Sequence, residues 1–125
     1  MAIKPVSASV KSVAVTIGSS SSGTVKSDPL KLGKFAAIRS VELSSEEHNP
    51  NRLITVRAGT HKLVDAVEDL QAYSTPTIDN PEKAPRIDQD SEIVLEVYVP
   101  SGAAPAINKK YVAAIAYWEV LEVAD

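Results

Sequence analysis

The chain is 125 residues long, with a formal net charge of −3, 44% hydrophobic residues, 5% aromatics and no cysteine. Its length and apolar content suffice for one domain around one core. The lack of cysteine excludes disulfide frameworks, thiolate metal sites and cysteine nucleophiles, and a core of Val, Ile, Leu and Ala suits thin stacked layers better than a barrel around a large pocket.

In residues 6–17, Ala8 and Val10 fall on one phase of a two-residue period and Val13, Val15 and Ile17 on the other. This predicts two short strands, or one strand with a bulge near Lys11 and Ser12. Residues 18–23, Gly-Ser-Ser-Ser-Ser-Gly, form a flexible loop by composition. It is not a phosphate cradle, because no Lys-Ser/Thr follows its second glycine and no helical pattern opens there. Residues 24–34 contain Asp28-Pro29 and Gly33, turn signals that mark an irregular crossing with room for one short strand.

Residues 35–43 read as a strand, with Phe35, Ala37, Arg39, Val41 and Leu43 on one phase and Ala36 and Ile38 on the other. Apolar residues on both phases suit the middle of a sheet. The polar stretch 44–51 and the β-branched run 52–58 (RLITVRA), closed by Gly59, extend this strand into an expected hairpin with a long projecting tip. In residues 60–73, Leu63, Val67 and Leu70 have i, i+4, i+7 spacing after Thr60, a suitable N-cap. The spacing predicts a short helix with Asp65, Glu68 and Asp69 on its solvent face, and an irregular strand is the alternative.

Residues 74–90 hold Pro76, Pro81 and Pro85. They predict an extended Pro-rich loop that cannot be a central strand, either a partner-contacting arm or a plain surface loop. In residues 91–100 (SEIVLEVYVP), Ile93, Leu95, Val97 and Val99 alternate with Glu92, Glu96 and Tyr98, the pattern of a strand buried on one face. After a Ser-Gly-Ala-Ala-Pro-Ala-Ile-Asn connector, Tyr111, Ala113, Ile115, Tyr117 and Leu121 share one phase and Val112, Ala114, Ala116, Trp118 and Val120 the other. A strand apolar on both faces is central to a sandwich or partly covered by another subunit. Together the elements predict an all-β fold: a single-domain β-sandwich of seven to eight strands over residues 1–125, with a jelly roll among the candidate arrangements and at most one short helix.

Charge is unevenly spread. Through Leu43 there are six basic residues against two acidic, net +4, and beyond it seven against fourteen, net −7. Beside the reading of an uneven solvated surface stands a sharper one, in which the basic segment 1–34 (Lys4, Lys11, Lys26, Lys31, Lys34) meets the acidic Pro-rich region (Asp79, Glu82, Asp88, Asp90) of a neighbouring subunit. Nucleic acid is disfavoured, since the basic residues stand singly without interleaved aromatics.

Catalytic and metal chemistry find little support. Glu46, Glu47 and His48 could ligate a metal but sit on an expected loop tip without fixed geometry. Asp88, Asp90 and Glu92 alternate on one side of an extended segment without the glycine and terminal glutamate of a calcium loop. No nucleophile elbow nominates a Ser-His-Asp triad. Tyr98, Tyr117 and Trp118 invite an alternative reading as a platform for sugar stacking, against core burial of Trp118.

The basic Ser/Thr-rich N-terminus, the segments SVELSS and RLITVRAG, the Pro-rich loop and the closing pair EIVLEVYVP and YVAAIAYWEVLEV resemble small all-β structural proteins of viruses and bacteriophages, such as capsid decoration or cement proteins and minor virion components. This resemblance implies a compact sandwich without enzyme activity or cofactor, homo-oligomers favouring trimers, contact with a major capsid or other assembly protein, and residence in the virion. With no stretch suited to a signal peptide or membrane span, the cytoplasm is the expected place otherwise.

Overall fold

The computed structural model describes residues 2–123, and side chains from 5 to 121. Ten strands form two antiparallel sheets: β1 (Ala2–Ile17), β2 (Gly23–Lys26), β3 (Leu30–Lys31), β4 (Ala36–Ser45), β5 (Leu53–Ala58), β6 (His61–Glu68), β7 (Tyr73–Ser74), β8 (Arg86–Ile87), β9 (Glu92–Val99) and β10 (Lys109–Val123). The first sheet runs β1-β10-β4-β7, with β8 also on β4; the second runs β2-β9-β5-β6, with β3 also on β9. Counting the divided edges β2/β3 and β7/β8 once each gives eight strand positions, and their order is that of a jelly roll. The fold is thus the all-β sandwich that the two-residue periodicity predicts.

The sheets close on one core. Ile93, Leu95, Val97 and Val99 of β9 face Val13, Val15 and Ile17 of β1, Val41 and Leu43 of β4, and Ala113, Ile115 and Tyr117 of β10. Each fully buried Val, Ile or Leu contributes about 1.5–3 kcal/mol, so many light side chains hold the layers together. β10 lies between β1 and β4, the central position its two apolar faces predict.

Four expectations are corrected. Residues 60–73 form no helix: His61–Glu68 is β6, joined to β5 through Gly59 and Thr60, with Gly59 at φ +62°. Between the pairs Ile54↔Val67 and Val56↔Val64, β6 spends one residue more than β5, and Ala66 takes φ +47°. This bulge turns Val67 to the core side on which Val64 lies, and Leu63 packs against the same core, so Leu63 and Val67 meet it at the i, i+4 spacing of the expected helix. Leu70, an inward position of the expected helix, is exposed, while Asp69, assigned to its solvent face, is buried.

Residues 35–43 and 52–58 do not form a hairpin, because β4 and β5 lie in different sheets and residues 46–52 cross between them. The bulge of β1 falls between Pro5 and Ser7 instead of near Lys11. The phase change there marks a change in burial along one continuous ladder: Val13, Val15 and Ile17 are buried, whereas residues 5–12 are exposed on both faces. In β4 the register shift opposite Ala116 and Tyr117 leaves Arg39 unpaired between Ile38 and Ser40, so Ala36, Ile38, Val41 and Leu43 all reach the core. The expected common phase of Phe35, Ala37, Val41 and Leu43 is therefore broken, with Phe35 exposed and Ala37 on the outer face.

The Pro-rich stretch follows the edge of β4. Thr75 donates its amide to the Val41 carbonyl, Ile78 donates to Arg39, and Ile38 donates to Pro85. Ile78 and Ala84 cover Trp118, Ala37 and Val120 in a small second core on the outer side of the first sheet. A 3₁₀ turn, Pro81–Lys83, is capped by Asn80, whose side chain accepts from the Glu82 amide. Prolines confine this stretch to an edge, where missing amide donors are tolerated.

Candidate functional site

Arg52 shares the core phase of β5 with Ile54, Val56 and Ala58. Alternation therefore carries a guanidinium inward at the end of the sandwich, where it is 1% exposed. Its Nε donates to the Ala103 carbonyl at 2.7 Å, Nη1 to the Tyr111 hydroxyl at 2.9 Å and Nη2 to Glu47 Oε1 at 2.9 Å. Tyr111 lies on the core phase of β10, 1% exposed, and its hydroxyl donates to Asp69 Oδ2. Asp69, also 1% exposed, takes the Asn49 amide on Oδ2 and lies 2.8 Å from His48 Nδ1 on Oδ1. The Ser45 hydroxyl is committed to the Glu47 carbonyl, so the His48 Nδ1 that contacts it at 3.1 Å carries the proton.

This cluster joins the two sheets and the crossing between β4 and β5. Its elements are compensated: burial works against the Arg52 charge, but the hydrogen bonds to Tyr111 and Glu47 outweigh it and raise its pKa above the usual value. Burial and the bond to Asp69 push Tyr111 up to about 12, against the opposing pull of Arg52. Neither described cavity is lined by Arg52, Asp69 or Tyr111. The arrangement is that of a clamp, with every strong hydrogen-bonding group turned onto a partner.

Sequence reasoning placed Glu47 and His48 on a projecting tip and did not single out Arg52, Asp69 or Tyr111 for a polar role. A signal existed in β5, where a charged residue occupies the phase of Ile54 and Val56. Glu46, Glu47 and His48 do not converge on a common centre: Glu46 accepts the Lys110 amide, Glu47 holds Arg52 and His48 holds Asp69.

The residues expected at an interface are spread over several elements. Lys11 is exposed on β1, Lys26 and Lys31 on β2 and β3, and Asp79, Glu82, Asp88 and Asp90 along the Pro-rich stretch and its exit. Lys34 lies 3.7 Å from Glu119, and among the described residues no ion pair joins Lys11, Lys26, Lys31 or Lys34 to those four acids. The Lys4 side chain lies outside the described residues. The aromatic trio does not share a surface: Tyr98 is 44% exposed on the outer face of the second sheet, Tyr117 is in the core, and Trp118 is half-buried on the outer face of the first. Arg39 sits 5.5 Å from the Trp118 ring centroid, occupying the face a sugar would stack on. An open cleft of about 430 Å³ separates β4, β6 and the Pro-rich stretch, lined by Ile38, Val41, Leu63, Tyr73, Pro76 and Ile78 among others.

The fold resembles that of a chain in the capsid asymmetric unit of Cyanophage Pam1, with TM-score 0.54 and 13% identity over 89% of this chain and 84% of that one. A chain of the acidic stable capsid of Helicobacter pylori bacteriophage KHP30 aligns over 99% of this chain and 100% of that one, at 14% identity and TM-score 0.44, too loose a superposition to argue from. No family model matches the sequence, and no curated protein does.

Proposed function

We propose that this chain is a non-enzymatic structural subunit of a phage particle, a capsid decoration or minor virion protein that contacts other capsid subunits and further copies of itself. The observation that carries this reading is the likeness in fold, over most of both chains, to a chain in the Cyanophage Pam1 capsid asymmetric unit. The clamp is consistent with it, because its polar groups are spent on one another and no described cavity reaches them. Such a role asks for a rigid body with surfaces to spare, and the two light-residue sheets supply both.

The test is compositional. Particles purified from cells carrying the gene, with and without a disrupted copy, are analysed by quantitative mass spectrometry and electron microscopy. The proposal expects the chain at a fixed stoichiometry to the major capsid protein. Particles that form without it mark a decoration protein, and loss of particles marks an assembly component. Its absence from purified particles overturns the virion role.

A further inference from the structure

Four edges bound the two sheets, and three are closed by their own sequence. The β6 edge carries the bulge at Ala66, whose amide turns to Thr55 Oγ1. The β2/β3 edge breaks at Ser27, whose hydroxyl accepts the Leu95 amide at 2.9 Å in place of a strand carbonyl. The edge beyond β4 is the Pro-rich stretch with Pro76, Pro81 and Pro85. Bulges, interruptions and prolines are the ordinary means by which proteins keep foreign strands from adding to a sheet.

The β1 edge lacks them over most of its length. It pairs with β10 on one side only, and its register runs unbroken from Ser7 to Ile17. Lys11 is the single charged residue between Pro5 and Ile17. Residues 5–12 are exposed on both faces, with Val6 at 54% and Val10 at 65%. Among the described residues, none bonds to the backbone amides and carbonyls that this stretch turns away from β10.

We propose that β1 is a self-association edge, on which two copies pair antiparallel through residues 7–11 about a two-fold axis at Ser9. The sequence favours a second copy as the occupant, because this register sets Lys11 of one copy against Ser7 of the other and Val10 against Ala8. No like charges oppose, and each larger side chain meets a small one. Pro5, which has no amide to donate, would fall opposite Val13, so pairing stops where the bulge begins. The contact is isologous and closes as a dimer with one continuous sheet across both copies. The contact closes with two copies, where the resemblance to viral structural proteins implies three.

The chain has no cysteine, which makes crosslinking selective. Ser9→Cys should form a covalent dimer on mild oxidation, and Ser22→Cys, in the exposed loop after β1, should not. In sedimentation equilibrium at low salt, the unmodified chain should dimerise at micromolar concentration. Ser9→Lys and Ser9→Glu should each be monomers with unchanged thermal melts, and their equimolar mixture should restore the dimer. A monomeric parent chain without crosslinking through Ser9→Cys overturns the proposal. So do charge variants that stay dimeric, which would place the contact elsewhere. These measurements use the isolated chain, so their failure leaves the virion role to be judged on particle composition.

Discussion

Where β10 begins, Tyr111 is held by Arg52 and Asp69 between the two sheets, and its neighbours on β1, Val13 and Val15, are buried. Further along the same ladder, β1 is exposed on both faces over residues 5–12, and the outer face of β10 is covered at Trp118 and Val120 by Ile78 and Ala84. One pair of strands thus passes from an interior closed by polar side chains to an edge with its backbone groups still available. The contrast separates two uses of the same element: a buried clamp fixes the register of the sandwich, and a plain edge offers that register to another strand.

The comparison breaks most severely at Ile115, fully buried between β1 and β4. Ile115→Asp buries an unpaired charge and should abolish cooperative folding, seen as loss of the thermal transition by circular dichroism. Arg52→Ala leaves Glu47, the Tyr111 hydroxyl and the Ala103 carbonyl without their donor and should cost about 3–5 kcal/mol in urea unfolding. Alkaline titration probes the same clamp. With Tyr111 raised to about 12 in the folded chain and near 10 when unfolded, its stabilisation is complete below about pH 10 and is lost as pH rises toward 12, by roughly 3 kcal/mol. Tyr111→Phe should remove that slope and cost about 1–3 kcal/mol at neutral pH, because Arg52 and Asp69 lose a buried partner. Val10→Ser, on the exposed stretch of β1, should change monomer stability by no more than about 0.5 kcal/mol.

How much of this was legible follows from where each residue spends its side chain. β9 and β10 were readable because Ile93–Val99 and Tyr111–Tyr117 keep a strict two-residue period against the core. β6 was not, because the Ala66 bulge shifts the phase between Val64 and Val67 and leaves a helical spacing. The false hairpin came from treating consecutive strands as neighbours, whereas in this topology the chain crosses between sheets after β4. The clamp was hidden for a different reason. Glu47, His48 and Asp69 look like solvated charges until the crossing brings them against Arg52 and Tyr111, more than forty residues apart in the case of Tyr111 and Asp69. The unblocked β1 edge could only be recognised once the other three edges were known to be closed.

Hydrogen–deuterium exchange at two protein concentrations tests the contrast between the two stretches of β1 most directly. Residues 13–17 should exchange at the same rates at both concentrations, since they lie outside the stretch 7–11 that pairs with the second copy. Among residues 7–11, the amides directed away from β10 should be protected at high concentration and exchange freely on dilution. Exchange in residues 7–11 that is fast, or slow, to the same degree at both concentrations would contradict the assignment of β1 as the edge where copies meet.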